Sequence, residues 1–390
     1  MSVYLPTLLL TLSQGILVPT LPLHVQSYGV SFALISLVVA AAGIGTLIAD
    51  VPVGMALERL GRKRMMVLGT SLQAISGFLL AIAVFYPEMV IYRLLAGLAS
   101  AMWNISRMAY ITDVVPPADR GRALSTFGGI MRIGTFVGPA IGGVVGAQWG
   151  LPAALYVSAA LNAGAAVLSF LLVTESQSAK SLQRHMRWRI VGGLAKTHGR
   201  DLATAGSAQI FGSMIRQGRQ IIVPLYAAAV LNLDVGAIGA IVSISAAVDM
   251  SLFIPAGYIM DHFGRKWASV PCFFIMGVGM VLMPFATDYY SLLFSTIVMA
   301  IGNGLGSGTM MTLGADLAPR EATGEFLGLW RLIGDIGQTG GPLIVGAIAD
   351  VLGLGVAAFA LSGIGFLAAG TLAAFVRETL QPRKVEAKAT

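Results

Sequence analysis

A charged stretch of eleven residues decides the fold of this 390-residue chain: Gly54-Met-Ala-Leu-Glu58-Arg59-Leu-Gly61-Arg62-Lys63-Arg64. A similar stretch follows 203 residues later, Gly257-Tyr-Ile-Met-Asp261-His262-Phe-Gly264-Arg265-Lys266. Each copy has a glycine, an acid four positions on, a basic residue, a second glycine and then at least two basic residues. Both copies lie between long apolar runs, and we call them together the doubled loop. A repeated charged loop in repeated surroundings predicts a chain built from two related halves.

The composition is typical of a protein that resides in a lipid bilayer. Of the chain's residues, 56% are hydrophobic and 11% are charged, whereas about a quarter of the residues of a soluble domain are charged. Basic loops on the cytoplasmic side explain the net charge of +7 better than nucleic-acid binding does. The single cysteine, Cys272, excludes an intrachain disulfide and a cysteine metal cluster. No basic segment precedes the first apolar run, which predicts a first span and not a cleaved signal peptide.

Apolar runs long enough to cross a bilayer occur about twelve times, in two sets of six. They lie near 3–24, 33–57, 65–85, 89–113, 123–146 and 151–173, and near 202–229, 236–259, 267–286, 289–315, 325–348 and 354–376. The expected fold is an all-α integral membrane protein with twelve transmembrane helices in two six-helix bundles. We place the bundles at 1–178 and 201–390, with a basic linker over 179–200.

The same offset of 203 residues relates acids and prolines elsewhere in the two halves. The pairs are Pro52 and Pro255, Asp113 and Asp316, Pro116 and Pro319, Pro139 and Pro342, and Glu175 and Glu378. One ungapped offset predicts parallel bundles related by a pseudo-twofold axis along the membrane normal.

The positions of the basic residues predict the orientation. Every Lys and Arg outside the spans lies in alternate loops, in the linker or in the C-terminal tail. The other loops contain no Lys or Arg, and they carry the acids Glu88, Asp234, Asp288 and Asp350. Both termini and the linker are therefore expected in the cytoplasm. In the linker, Arg184, Arg187 and Trp188 have helical spacing, which suits either an amphipathic helix on anionic headgroups or a solvated segment.

The doubled loop resembles the signature of the major facilitator superfamily of transporters, G-x-x-x-D/E-R/K-x-G-x-R/K-R/K, which follows the second helix and is often echoed after the eighth. The resemblance covers nearly the whole chain and implies a monomeric secondary carrier without a cofactor, in a prokaryotic inner or plasma membrane. Matching positions are Gly54, Glu58, Arg59, Gly61, Arg62 and Lys63, then Gly257, Asp261, Gly264, Arg265 and Lys266.

Acids at the ends of the fourth and tenth spans are expected to pair with the doubled loop. We predict ion pairs between Arg62 and Asp113 and between Arg265 and Asp316. In the family such pairs hold the outward-open state, although the same charges also fit simple loop anchoring. The second glycine of each copy is expected to permit a tight turn, and the first to let helices approach closely.

The fifth span contains Gly134-x-x-x-Gly138-Pro139-x-x-Gly142-Gly143, which resembles the exporter-associated pattern G-x8-G-x3-G-P-x2-G-G of the family. Ser125 stands where that pattern has its first glycine. A smooth helix face with a proline kink can bend or slide. The resemblance implies export, whereas plain tight packing would leave the direction open.

Ionisable groups inside spans are costly in lipid, so they are expected to face a partner or a wet cavity. Arg132, Arg216, Asp249 and Asp335 lie near the middle of their spans. The offset relates Arg132 to Asp335, and we expect these opposite charges to meet across the pseudo-twofold axis. Asp249 and Asp335 are the candidate proton carriers.

Arg93 is the third candidate for proton coupling. The segment Arg93-x-x-x-Gly97 resembles the family's fourth-helix arginine motif, which is linked there to proton coupling. Snorkelling of the side chain to the outer interface is the alternative.

A central polar cavity is expected to bind the substrate. Gln209, Ser213, Arg216 and Gln220 form one polar stripe on the seventh span. Arginines outnumber acids inside the spans, and the first span has no acid, so we expect an anionic, zwitterionic or amphiphilic substrate. Ion pairs between helices would account for some of these residues instead. The proposed cavity residues are Arg132, Arg216, Gln209, Gln220, Asn104, Asn303 and Gln338.

The expected function is secondary active transport by alternating access, as proton-coupled efflux of a small organic solute. Its partners would be the substrate, protons and membrane lipids. An enzyme is not expected, because the four histidines are scattered and the glycine-rich run 302–308 lies inside a span without a following lysine. Uptake or exchange of an organic anion, lipid flipping, and a channel or receptor are the alternatives.

Overall fold

The computed structural model describes residues 2–116, 119–175, 199–319 and 322–380, and nearly all of them are helical. The first half contains six helices: α1 Tyr4–Gln26, α2 Phe32–Leu60, α3 Arg62–Ala81, α4 Tyr86–Val114, α5 Arg120–Trp149 and α6 Leu151–Leu172. The second half contains α7 Gly199–Ala229, α8 Val235–Ser251, α9 Phe253–His262, α10 Arg265–Leu282, α11 Tyr289–Leu305, α12 Thr309–Leu317, α13 Thr323–Leu352 and α14 Leu354–Phe375.

Among the described residues, eleven helical segments are long and apolar enough to cross a membrane. Two of them are interrupted helices, since α8 with α9 and α11 with α12 each form one segment. Helix α7 has 31 residues but is less apolar because it carries arginines and glutamines, and it completes the second set of six. The predicted fold is confirmed as an all-α membrane protein with two pseudo-symmetric six-helix bundles. Most of the predicted linker lies outside the described residues.

Glycine conformation shapes both copies of the doubled loop. Gly61 has φ +83° and Gly264 has φ +117°, values that a residue with a side chain rarely adopts. Gly61 forms a one-residue turn between α2 and α3, and Gly264 with Phe263 forms a two-residue turn between α9 and α10. The predicted role of the second glycine is confirmed. The first glycines, Gly54 and Gly257, have open space around the position of a Cβ. The prediction of close packing at these two glycines is therefore wrong in this conformation.

The glycines of the fifth-span motif bring α5 into contact with α1. A Cβ on Gly138 would lie 2.7 Å from the Cα of Gly15, and one on Gly142 would lie 2.7 Å from the carbonyl oxygen of Ile16. Gly134 faces Thr11 in the same way. Small residues at a helix crossing allow this approach in lipid, where dispersion contacts replace the hydrophobic effect as the main attraction.

The two bundles meet through a pair of symmetric contacts at the end remote from the doubled loop. Gly143 of α5 packs on Gly239 of α8, and Gly346 of α13 packs on Ser36 of α2. Gly346 follows Gly143 by 203 residues, and Gly239 follows Ser36 by the same number, so the two contacts are equivalent. On the α5 face that carries Gly143, Gly128 has nothing within 4 Å of a Cβ position. The interface is therefore tight at one end and looser toward the doubled loop.

Candidate functional site

The predicted ion pairs at the doubled loop are both present. The Nε of Arg62 lies 3.0 Å from the Oδ2 of Asp113, and the Nε of Arg265 lies 3.0 Å from the Oδ2 of Asp316. Arg62 is buried, with 10% of its side chain exposed. Burial of a charged pair strengthens the mutual attraction and makes loss of one partner costly. The pairing is thus confirmed, while a gating role for it stays a prediction.

The acids that follow the sixth and twelfth spans, also related by the offset, lie against the doubled loop. Glu175 accepts a hydrogen bond from the backbone N–H of Arg62 at 2.8 Å. Glu378 accepts one from the backbone N–H of Arg265 at 2.8 Å. A carboxylate at a helix N-terminus is stabilised by the free N–H groups and the helix dipole. The ends of both bundles are thereby tied to the starts of α3 and α10.

Glu378 shows the electrostatic result of this arrangement. Partial burial works to raise the pKa of the Glu378 carboxyl, but backbone N–H donors from Leu380, Lys266, Arg265 and Thr379 outweigh burial and hold the pKa below its ordinary value. Hydrogen bonds to the charged form favour that form. The second copy of the doubled loop is therefore closed by an ionised carboxylate.

The other charges of the doubled loop have different surroundings in the two copies. Glu58 and Arg59 are exposed in the first copy, and the Nζ of Lys63 lies 5.4 Å from the ring centre of Phe170. In the second copy Asp261 lies 3.4 Å from Arg265, and Lys266 donates to the carbonyl oxygen of Ala373 at 2.7 Å. Only the second acid therefore pairs with its own loop.

A cavity of about 310 Å³ lies mainly within the first bundle and is closed by α7 and α13 of the second. We call it the Arg93 cavity. None of the described residues that line it is acidic, and its polar lining consists of amides and hydroxyls around Arg93. The Nε of Arg93 is buried and finds no hydrogen-bond partner in the described part of the chain. The polar lining includes Gln14, Gln73, Asn162, Gln217, Gln220 and Gln338.

A second cavity of about 390 Å³ lies nearer to the doubled loop, and we call it the Arg107 cavity. It shares Gly43, Thr46, Gln338 and Thr339 with the Arg93 cavity, so the two have a common wall. Its remaining lining comes from both bundles. Helix α4 supplies Asn104, Arg107 and Met108, and α13 supplies Arg331 and Asp335.

One ion pair between the bundles joins α5 to α8. The Nη1 of Arg132 lies 3.5 Å from the Oδ1 of Asp249. Asn303 donates to the other carboxylate oxygen of Asp249 at 2.6 Å, Ser307 contacts Arg132, and the guanidinium lies 4.4 Å from the ring centre of Phe253. Each charge in this interface thus has several neighbours besides its partner.

A second ion pair between the bundles joins α13 to α2. The Nη2 of Arg331 lies 4.0 Å from the Oδ2 of Asp50, and its Nε lies 3.6 Å from the Oδ2 of Asp335. Gln338 donates to the remaining oxygen of Asp335 at 3.1 Å. Two carboxylates therefore share one guanidinium beside the Arg107 cavity.

The predicted meeting of Arg132 with Asp335 is wrong. Arg132 pairs with Asp249, and Asp335 pairs with Arg331. A twofold axis places equivalent residues on opposite sides of the molecule. Arg132 lies on α5, which packs on α8, whereas Asp335 lies on α13, which packs on α2, the equivalent of α8. The two residues therefore do not face each other.

Three of the seven predicted cavity residues line a cavity: Gln220, Asn104 and Gln338. Gln209 packs against Gly334 of α13 instead. Arg216 donates to the carbonyl oxygen of Gly306 at 3.1 Å, where Gly308 takes φ +78° and the tenth span is interrupted. Arg132 and Asn303 belong to the ion pair with Asp249. The prediction that these four line the cavity is not supported by their positions.

Sequence reasoning missed several residues that the structure brings to the site. Asp50 is the only acid in the apolar run 33–57, and that isolation was a usable signal. Gln73, Asn162 and Gln217 carry a weaker signal, because a neutral amide in a span is less costly than a charge. Arg331, which the sequence does not single out, contacts two carboxylates.

Comparison with known proteins agrees with this architecture. The sequence pattern of the Major Facilitator Superfamily matches residues 3–214 and, a second time, residues 205–390. The chain belongs to that superfamily. It is a multi-pass membrane transporter, and the double match agrees with two related halves.

Relatives within the superfamily are distant but cover most of the chain. An uncharacterized MFS-type transporter of Methanocaldococcus jannaschii is 23% identical over 90% of this chain and 91% of its own length. The quinolone resistance protein NorA of Staphylococcus aureus is 24% identical over 89% of each chain. The crystal structure of a D-xylose–proton symporter matches with a TM-score of 0.78 at 19% identity over 97% of both chains. That structural match supports the fold.

Proposed function

We propose that this chain exports small organic solutes that carry a negative charge, in exchange for protons. The observation that carries the proposal is the Arg93 cavity, where a partly buried arginine has an unpaired Nε, no carboxylate among the described lining residues, and amides around it. An uncompensated buried cation is unfavourable, and an anionic ligand would remove that penalty. We therefore assign Arg93 to substrate binding first, and proton coupling at this residue becomes secondary.

Alternating access follows from the contacts between the bundles. The tight glycine contacts at the remote end and the looser interface toward the doubled loop describe one of two arrangements of two rocking bodies. The ion pairs of Arg62 and Arg265 each lie within one bundle and are already formed in this arrangement, so a role in holding the opposite arrangement would need further contacts between the bundles at that end. Because basic loops favour the cytoplasmic side of a cell membrane, the doubled-loop end and both termini would face the cytoplasm.

Proton coupling is proposed for Asp335 with Asp50, and for Asp249. Asp335 borders a cavity, so substrate and proton could compete for its surroundings. Asp249 is enclosed by Arg132 and Asn303, which favour its ionised form, so it would take up a proton only when the bundles separate. Both arrangements link protonation to the contact between bundles.

Export is favoured over uptake by two independent observations. The fifth-span glycines that resemble the exporter pattern do pack on α1 as a smooth face. Two relatives, NorA and the multidrug resistance protein 2 of Bacillus subtilis, are resistance proteins by name. Uptake or exchange of an organic anion would use the same cavity, and the direction of the driven flux decides between them.

Counterflow in proteoliposomes tests the proposal. Para-toluenesulfonate is a suitable probe because it stays anionic and does not cross lipid as a neutral acid. Wild-type protein should exchange it, and an imposed proton gradient should drive net flux. Arg93→Gln should reduce exchange at least about tenfold, the loss expected for one charge-assisted contact, while Arg93→Lys should retain most of it. Transport of quaternary ammonium probes alone, with Arg93→Gln silent, would overturn the proposal.

A further inference from the structure

Arg107 is a buried cation that the proposed function has not used. Only 9% of the residue is exposed, and its guanidinium carbon lies over the ring of Phe127, 3.9 Å from the ring centre. The Nε is buried without a hydrogen-bond partner, and no carboxylate of the described residues lies within ion-pair distance. The side chain lines the Arg107 cavity. It is thus packed on Phe127 and borders the cavity without a carboxylate partner among the described residues.

On the opposite side of the same cavity, carboxylates outnumber the cations that contact them. Asp335 lines it, and Asp335 and Asp50 share a single guanidinium, that of Arg331. The Oδ1 of Asp50 and the Oδ2 of Asp335 are both buried and accept no hydrogen bond from the described residues. This side therefore has more carboxylate than cation to neutralise it.

Repulsion acts on each side of the cavity. Arg107 lies close enough to Arg331 for the two cations to repel each other. Asp335 likewise lies close enough to Asp50 for the two carboxylates to repel each other. A ligand with only a negative charge would relieve the arginines and increase the repulsion around the acids. A ligand with only a positive charge would do the opposite. A ligand that carries both charges relieves both, since the four side chains together have no net charge.

We propose that the Arg107 cavity is a subsite for a zwitterionic ligand, whose anionic group binds Arg107 and Asn104 and whose protonated amine binds Asp335. This inference rests on the proposed transport function and narrows its substrate class from anions in general to zwitterions. Helix α4 of one bundle and α13 of the other would then hold opposite ends of one molecule. Binding of the ligand would thereby favour one position of the bundles over the other.

Three probes built on the same para-substituted benzene ring separate the charges: para-(aminomethyl)benzenesulfonate, para-toluenesulfonate and para-methylbenzylamine. Binding is measured by calorimetry on the purified full chain, in an Arg93→Gln background so that the Arg93 cavity does not capture the sulfonate. The zwitterion should bind at least about tenfold more tightly than either single-charge probe, because it gains one further charge-assisted contact. Equal binding of the zwitterion and para-toluenesulfonate, or no saturable binding of any probe, would overturn the inference.

Two further substitutions identify the side chains involved. Arg107→Gln should remove the advantage of the zwitterion over the amine, and Asp335→Asn should remove its advantage over the sulfonate. Arg107→Lys keeps the charge and should keep the preference, and thermal unfolding of each variant shows that it is folded. If neither substitution changes the preference, the subsite lies elsewhere and the inference is wrong.

Counterflow with wild-type protein separates this inference from the proposed function. Zwitterion preference without any counterflow would reject transport and leave the subsite standing. Counterflow of para-toluenesulfonate without zwitterion preference would reject the subsite and leave transport standing.

Discussion

The two ion pairs between the bundles occupy equivalent helices but not equivalent positions. Arg132 on α5 pairs with Asp249 on α8, and Arg331 on α13 pairs with Asp50 on α2. At the 203-residue offset, Arg331 corresponds to Gly128, which is one helical turn before Arg132 and nearer to the doubled loop. The second pair is thus displaced by one turn along the molecule.

That displacement changes the surroundings of the charges. The side chains of Arg132 and Asp249 are 22% and 15% exposed, and Asn303 and Ser307 contact the pair. The Arg331 side chain is 48% exposed and borders the Arg107 cavity. The duplicated template therefore produced one enclosed contact between bundles and one that a ligand can reach. The backbone keeps the pseudo-symmetry, whereas a few side chains depart from it.

The enclosed pair should show the largest effect on stability. Asp249→Asn leaves the mostly enclosed Arg132 beside a neutral amide, and the cost should approach, at most, the loss of about 3–5 kcal/mol expected when one partner of a fully buried pair is removed. Thermal unfolding of the purified protein in detergent measures it. The double variant Arg132→Gln with Asp249→Asn removes both charges and should recover most of the loss. An equal loss in the single and double variants would show that packing, and not the unpaired charge, was responsible.

The doubled loop offers the next comparison between the halves. Arg62→Gln breaks the contact with Asp113, and charge-assisted hydrogen bonds contribute about 1.5–3 kcal/mol. Arg265→Gln should cost more, because Arg265 contacts Asp316, Asp261 and the carbonyl oxygen of Met260. The same unfolding measurement applies to both variants. A larger loss for Arg62→Gln would show that burial outweighs the number of partners.

The cavity-facing pair should affect stability less and conformation more. Arg331→Gln removes a half-exposed guanidinium, which contributes about 1 kcal/mol or less. It also leaves Asp50 and Asp335 to repel each other, so α2 and α13 should separate. Cysteine cross-linking between these helices should become slower, and Arg331→Lys, which keeps the charge, should restore it. An unchanged cross-linking rate in Arg331→Gln would show that this ion pair does not control the separation of α2 and α13.

The fold could be predicted from the sequence because lipid imposes strong rules. Apolar length gave the spans, and the offset between Gly54 and Gly257 gave the two halves. The pairs of Arg62 with Asp113 and of Arg265 with Asp316 followed because one helical hairpin places those residues at the same end. These predictions needed only chain direction and charge.

The cavities could not be predicted in the same way. Gln209 and Gln220 lie on one stripe of α7, yet one packs under Gly334 and the other reaches the Arg93 cavity. Which part of a polar stripe meets open space depends on where two helices cross, and the sequence alone does not state that. The expected pairing of Arg132 with Asp335 is wrong because residues related by internal symmetry need not be close in space. Asp50 was missed although its charge in an apolar run made it detectable.

The smallest expected effect concerns the carboxylates that close the doubled loop. Because the pKa of Glu378 is lower in the folded protein than its ordinary value of 4.5, its ionised form favours folding. The contribution is complete above the ordinary range of a glutamate and is lost as the pH falls through the lowered pKa. Glu378→Gln should therefore reduce stability at neutral pH by about 0.5 kcal/mol, a value discounted for solvent exposure.

The equivalent variant Glu175→Gln is the matched control for this prediction. Glu175 accepts a backbone hydrogen bond from Arg62, whereas Glu378 has four backbone donors, so Glu378→Gln should have the larger effect at neutral pH. Thermal unfolding across a pH series should show the difference between wild type and Glu378→Gln narrowing in acid. A difference that stays constant with pH would mean that the carboxylate acts through its shape and not its charge. The electrostatic comparison of the two halves would then apply only to the pairs inside the membrane.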